Sequence, residues 1–339
     1  MEFGLDTFGD ITRDATGALL PQDQVLRNVV AEAVLADQVG VEAINLGEHH
    51  RDDFAISAPE ILLTNIAART TRIRLGTAVT VLSTDDPIRL YQRFSTLNAI
   101  ADGRGEIILG RGSFTESYPL FGYDMRHYEL LFEEKLAIFA QVNKTGALKW
   151  EGEHRAPVSV PAIYPPAGPG GIRTWIGVGG SPESVVRAVR HDMPMMLAII
   201  GGDPRRFLPF VKLYHDATEK MGKQVQPLGV HSPGLIAETD EAARAAAFTG
   251  YKALHDRIGR ERGWPPITKA AFLSEVEGGS QYVGSPETVA QKIAATVRAL
   301  GLQRFSLKYS AGTTPHEDLM RSVELYGTKV IPRVRELLA

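Results

Sequence analysis

No cysteine occurs among the 339 residues. That absence excludes disulfides, thiolate metal sites and cysteine nucleophiles together. Nor is there a run of ~18 uncharged apolar residues, the length a bilayer span requires. A concentrated basic field is missing too: Lys+Arg 37 against Asp+Glu 40 gives a formal net charge of −3. Such a balance argues against nucleic acid as the main partner. The opening MEFGLDTFGD carries Asp6 and Asp10 and no basic stretch, so it reads as a first strand rather than a signal peptide. With 44% hydrophobic and 23% charged residues, disorder, collagen and coiled coil are excluded as the main architecture. A cytoplasmic enzyme or binding protein, with neither membrane nor nucleic acid as partner, is what remains.

The organising pattern is strand then helix, repeated. Short apolar strands are expected at 3–8, 42–46, 73–82, 106–109, 174–178, 195–200, 228–237 and 304–309. Helical spacing follows at 25–39, 59–68, 87–101, 128–142, from 182, 204–221, 240–260, 286–300 and 317–338. Asp86 and Pro87 read as a cap and first helical residue. The segment 150–172, with Pro157, Pro161, Pro165, Pro166 and Pro169, interrupts the rhythm and reads as a surface loop excursion. Eight buried strands with helical crossovers predict an α/β fold, a (β/α)8 TIM barrel. Such barrels run past ~250 residues as one domain, so 1–339 reads as a single domain. The other reading is an open doubly wound sheet, for which Gly4 and Gly9 do not supply the G-x-G-x-x-G turn.

In a barrel the residues following each strand build the active site. After the second strand stand Gly47-Glu48-His49-His50. Adjacent histidines beside a carboxylate suit metal ligation or proton transfer near neutral pH, and one of them could equally be a packed loop residue. A metal site would need ligands at other strand ends. Those ends offer Gly110-Arg111-Gly112, Gly179-Gly180-Ser181 and Gly201-Gly202 instead, with only His231 to help. The string Gly179-Gly180-Ser181-Pro182-Glu183-Ser184 lets a backbone approach an anion at a helix start, to which Arg111 would add a bidentate donor. Taken alone it is also a plain N-cap, and Gly284-Ser285-Pro286-Glu287 repeats the device. The segment 263–281, with Pro265-Pro266 and Gly278-Gly279, reads either as a lid with hinges or as a surface insertion.

Three motifs together carry a resemblance: Gly47-Glu48-His49-His50, then GTAVTVLSTDDPIR over 76–89, then Asp102-Gly103-Arg104-Gly105 through Gly110-Arg111-Gly112. With GVGGSPES and Val283-Gly284-Ser285-Pro286-Glu287 in order behind them, the chain resembles the bacterial luciferase-like flavin-dependent oxidoreductases along nearly its whole length. The resemblance implies a barrel binding reduced FMN at its carboxyl-end mouth, or in some branches the deazaflavin F420. It implies a phosphate held by Arg111 and by Gly179, Gly180, Ser181 and Ser184, and a non-proline cis peptide at Ala78–Val79, beside Thr77, under the flavin ring. His49 matches the histidine of the flavin-hydroperoxide chemistry, His50 would shape the ring side, and Glu48 would orient an imidazole or cap the loop. The implied activity is that of a monooxygenase using reduced FMN and O2, through a C4a-hydroperoxide, on a small organic substrate, with a flavin reductase as supplier. F420-dependent hydride transfer, non-catalytic flavin binding and a metal-dependent hydrolase are the alternatives. Luciferase carries cysteine where Gly110 stands and glutamate where Gly180 stands, so light emission is not implied. Phe8, Phe54, Phe114, Tyr118, Trp264 and Lys308 could line a cavity. A homodimer through 59–69 and 87–101 is the family's habit.

Overall fold

The computed structural model describes residues 1–112 and 114–339. Its strands are β1 (Glu2–Thr7), β2 (Ala43–Leu46), β3 in two pieces (Arg74–Thr77 and Thr80–Val81), β4 (Glu106–Gly110), β5 (Arg173–Val178), β6 (Met195–Ala198), β7 (Leu228–Ile236) and β8 (Arg304–Lys308). All pair in parallel with their neighbours, and β8 returns to β1 through Glu2↔Arg304 to Asp6↔Lys308. The result is a (β/α)8 barrel. Helices α1 (Gln22–Gln38), α2 (Pro59–Ala67), α3 (Pro87–Ile100), α4 (Tyr128–Thr145), α5 (Pro182–Arg190) and α6 (Leu208–Lys220) fill the crossovers. Between β7 and β8 come α7 (Asp240–Arg262), α8 (Lys269–Glu277) and α9 (Pro286–Leu300), and α10 (His316–Leu325) and α11 (Ile331–Leu338) close the chain.

Two expectations need correction. The strand expected at 73–82 is not continuous: its apolar run reads as one strand, but the Ala78–Val79 bond is cis and the pleat stops there. The last helix is likewise interrupted by a π-helical turn, Tyr326–Val330. Within the segment 263–281 lies α8, with Phe272 and Val276 buried. Helical spacing there is short and follows two prolines, which is why it escapes a periodicity reading. The excursion at 150–172 carries half of a small antiparallel hairpin, Leu148–Trp150 with Val158–Val160.

Alternation along the strands sorts the lumen into layers. At the N-terminal end Glu2, Arg173, Glu106 and Arg304 form a charged layer. Arg304 and Glu106 are fully buried and 2.7 Å apart, and Arg173 grips Glu2 at 2.7 and 2.9 Å. A polar hollow of about 770 Å³ opens beneath it. Glycines dominate the middle layer: a Cβ at Gly229 would meet the Met196 thioether at 2.9 Å, and one at Gly76 the Asn45 carbonyl at 2.3 Å. Trp175 is fully buried, clustered with Ala78, Ile108 and Met196. Ionic matching at the lower end and dense packing in the middle leave the carboxyl end to carry chemistry.

Candidate active site

His49 follows β2, and its backbone N–H donates to the Ile56 carbonyl at 2.9 Å, which fixes the loop. Three aromatic rings surround the imidazole: Phe54 at 4.5 Å and Phe8 and Phe114 at 4.9 Å between centroids. Only 8% of His49 is exposed. Phe114 is in turn covered by the guanidinium groups of Arg51 (4.7 Å) and Arg262 (5.0 Å). Arg51 is tied to Asp53 and to Glu261 at the end of α7, at 2.7 Å to each Glu261 oxygen. The imidazole is thus shielded from water by three rings, the outermost covered by two guanidinium groups.

The carboxylate facing His49 is Glu116, with Oε1 3.5 Å from Nδ1, and the same oxygen accepts the His50 N–H at 3.4 Å. Burial works to raise the Glu116 carboxyl, but the approach of His49 and two backbone N–H groups holds it below its ordinary value. Burial pushes the His50 imidazole down, against Glu116, and its Nε2 is buried with no partner. His50 is therefore held neutral beside Phe121, 5.0 Å away. Glu48, expected near an imidazole, turns the other way: it accepts the Val81 N–H at 2.7 Å, pinning the second piece of β3. Burial pushes its carboxyl up to about 8. No spacing rule marks Glu116, since it lies in an irregular loop after β4.

Arg111 also follows β4. Its Nη2 donates to Ser184 Oγ at 3.2 Å, and its guanidinium stacks 4.8 Å from the Tyr128 ring. Arg187, one helical turn beyond Ser184, donates to the same hydroxyl at 3.2 Å from the opposite side. That i, i+3 spacing on α5 is the sequence sign of Arg187, a site residue outside the motif strings. Ser181 precedes α5 but does not cap it; its hydroxyl donates to Glu183 at 2.7 Å. Gly180 sits at φ +118°, a conformation for glycine, and a Cβ there or at Gly179 would meet nothing within 4 Å. Two fixed arginines, a helix start and open space above two glycines fit a phosphate monoester.

Between the halves stand Ala78 and Val79. The Val79 side chain fills the place of the missing side chain at Gly110, where a Cβ would lie 2.6 Å from Val79 Cγ2. Thr77 is not presented to the mouth: its hydroxyl is buried and accepts from Thr80 at 2.9 Å. Arg111, Phe114 and Glu116, all following β4, link the phosphate-type cradle to His49. Of the other candidate lining residues, Lys308 is paired with Asp10 at 3.0 Å, Tyr118 is fully buried and Trp264 lies at the rim. Asp6 and His231, 2.6 Å apart, form a buried pair at the top of the lumen, with Asn45 donating to Asp6 at 2.7 Å. Among the described residues, no three His, Asp or Glu side chains stand together as a metal set. No helix among them is long and apolar enough to cross a membrane.

Comparison with known proteins places the fold. A family model described as luciferase-like monooxygenase matches residues 1–304. The alkanal monooxygenase alpha chain of Photorhabdus luminescens is 21% identical over 93% of each chain. The oxygenating constituent of 3,6-diketocamphane monooxygenase of Pseudomonas putida, a type II Baeyer-Villiger monooxygenase solved with FMN, superposes with a TM-score of 0.79 at 20% identity over 98% of both chains. An F420-dependent secondary alcohol dehydrogenase does so at 0.73 and 15% identity, over 98% of this chain and 99% of that one.

Proposed function

The chain belongs to the luciferase-like monooxygenase family, and from that membership we propose that it is an FMN-dependent monooxygenase acting on a small apolar organic substrate. The observation that carries the reading is the joining of an anion cradle (Arg111, Arg187, Ser184, Gly179, Gly180, Ser181) to a shielded histidine by one loop. In this reading the cradle holds the phosphate of reduced FMN, delivered by a separate flavin reductase. The backbone at Ala78–Val79 faces its ring. Bound reduced FMN supplies two electrons, so that one atom of O2 enters the substrate and the other leaves as water.

The chain's own residues do three things. Phe8, Phe54 and Phe114 exclude water from the space at His49, which favours oxygen transfer to substrate over loss of the oxidant to solvent. His49 moves the proton, at its imidazole nitrogens, with Glu116 Oε1 3.5 Å from Nδ1 to orient the ring. His50, neutral, shapes the same wall. The same three phenylalanines favour an apolar, ring-containing or alkyl substrate. The whole chain, 1–339, acts as one domain, and the exposed Ile61 and Ile100 on α2 and α3 suit pairing of two copies, which sedimentation would read as a homodimer.

Anaerobic titration with reduced FMN and with reduced F420, followed by admission of O2, tests the proposal. Saturable binding of reduced FMN and flavin-dependent O2 uptake are expected. Binding of F420 alone, with no O2 uptake, would assign hydride transfer instead.

A further inference from the structure

The two arginines of the cradle do not face only Ser184. Glu129, in the first turn of α4, spans them from the other side, with Oε1 accepting from Arg111 and Oε2 from Arg187 at 2.5 Å. Each guanidinium thus gives one N–H to the Ser184 hydroxyl and one to the Glu129 carboxylate. Two acceptor oxygens held by a pair of guanidinium groups is the arrangement a phosphate adopts between arginines. Glu129 already makes it.

Exposure separates the partners. The Arg187 side chain is 5% exposed and Arg111 15%, both stacked on aromatic rings, while Glu129 is 54% exposed. The cations are therefore fixed and the carboxylate can leave. Nor does Arg187 need Glu129 to balance its burial, because Glu133 accepts from its Nε. With Glu129 in place, both arginines of the cradle are already engaged by carboxylates, Arg187 sharing Glu133 with Arg190, and an incoming dianion must compete with Glu129 for them. With Glu129 swung into solvent, one positive charge is uncovered at the start of α5.

We propose that Glu129 is a built-in competitor for the phosphate of the cofactor: it holds the place between Arg111 and Arg187 and is displaced on binding. The inference rests on the FMN reading above and extends it. A cradle with its own carboxylate binds the phosphate more loosely than its arginines alone would, which suits a flavin that arrives from one protein and must leave again.

The test is Glu129→Gln, compared with the parent protein in titrations of FMN and of riboflavin, which has no phosphate. The glutamine can keep one hydrogen bond to an arginine while removing the charge. A competitor role predicts FMN binding about tenfold tighter, ~1.4 kcal/mol, with slower release in stopped flow and riboflavin binding changed less than twofold. FMN affinity unchanged or weakened overturns the proposal, the weakened case meaning that Glu129 braces the arginines. Equal tightening of FMN and riboflavin overturns it too, since the effect then bypasses the phosphate. If neither flavin binds either protein, the FMN reading fails, and inorganic phosphate followed by ³¹P NMR decides the inference alone. Tighter phosphate in the variant upholds it; equal affinity overturns it. Glu129→Ala provides a second variant should the amide make new contacts.

Discussion

Replacing Glu48 with glutamine should make the protein more stable in alkaline solution and leave it unchanged in acid. Glu48 has an ordinary carboxyl value of 4.5, and in the folded chain burial, reinforced by Asp85 and Glu60, pushes it up to about 8 against the Val81 N–H and Arg93. Below about pH 4.5 the group is protonated whether the chain is folded or not. Between there and about 8 the unfolded chain ionises and the folded chain does not, so unfolding is favoured by proton release and stability falls as pH rises. Above 8 the loss is complete. The full gap sets a ceiling of ~5 kcal/mol, and partial access of solvent to the side chain reduces the expectation to ~2 kcal/mol. Glutamine keeps the acceptor that Val81 uses and offers an amide to the neighbouring carboxylates, with no charge to desolvate. Urea midpoints of both proteins across pH 4.5 to 9 provide the assay. A difference that is flat with pH, or a variant weaker than its parent at pH 9, would refute the reasoning.

Other consequences follow from the layers of the barrel. Arg304→Met removes the 2.7 Å partner of the buried Glu106 and leaves it only Arg173, 3.5 Å away; this should cost ~3 kcal/mol, whereas adding Glu106→Leu should recover most of it; denaturant midpoints of the single and double variants read the difference. Gly110→Cys, which restores the luciferase residue, would place a Cβ 2.6 Å from Val79 and cost ~1–3 kcal/mol as overpacking. Pairing it with Val79→Ala should return the loss, and thermal melts would show whether it does. His49→Ala should lower oxygenation by about 10²–10⁴-fold while flavin affinity stays within a few-fold, since no contact of His49 reaches the cradle; full turnover in the variant would remove its proton-transfer role.

The parts of this molecule that could be read from sequence are those set by local period. Strands such as Met195–Ala198 and Arg173–Val178 are short, mainly apolar runs between helical repeats, and their eightfold alternation with helices favours closure over an open sheet. What escaped depends on contacts between residues far apart in the chain. Glu116 reaches His49 across 67 positions, and Asp6 reaches His231 across 225. No periodicity encodes either. Of the two roles expected of Glu48, orienting an imidazole or capping the loop, its carboxyl takes a backbone contact, with Val81, because side chains adjacent in a loop point in different directions. Arg187 is closer to legibility: it shares a face with Ser184, three residues earlier, and i, i+3 spacing is enough to set the two side chains side by side.

The two Gly-Ser-Pro-Glu strings make the difference between device and site plain. At the second, Ser285 accepts the Thr288 N–H, and the Asp240 carboxylate accepts from the Ser285 N–H at 2.6 Å and from the Thr288 hydroxyl at 3.0 Å. The positive start of α9 is thus filled from within by an anion that cannot leave, with Gly284 pressed against Asp240. At the first string Ser181 caps nothing, and the space over Gly179 and Gly180 is open. The nearest carboxylate on the arginines belongs to a half-exposed side chain. A helix start follows both strings, but only Gly180 stands at a positive φ. What separates a finished cap from a binding site is whether the anion belongs permanently to the fold, and that is decided by Asp240 in one case and Glu129 in the other, neither of which lies in the string.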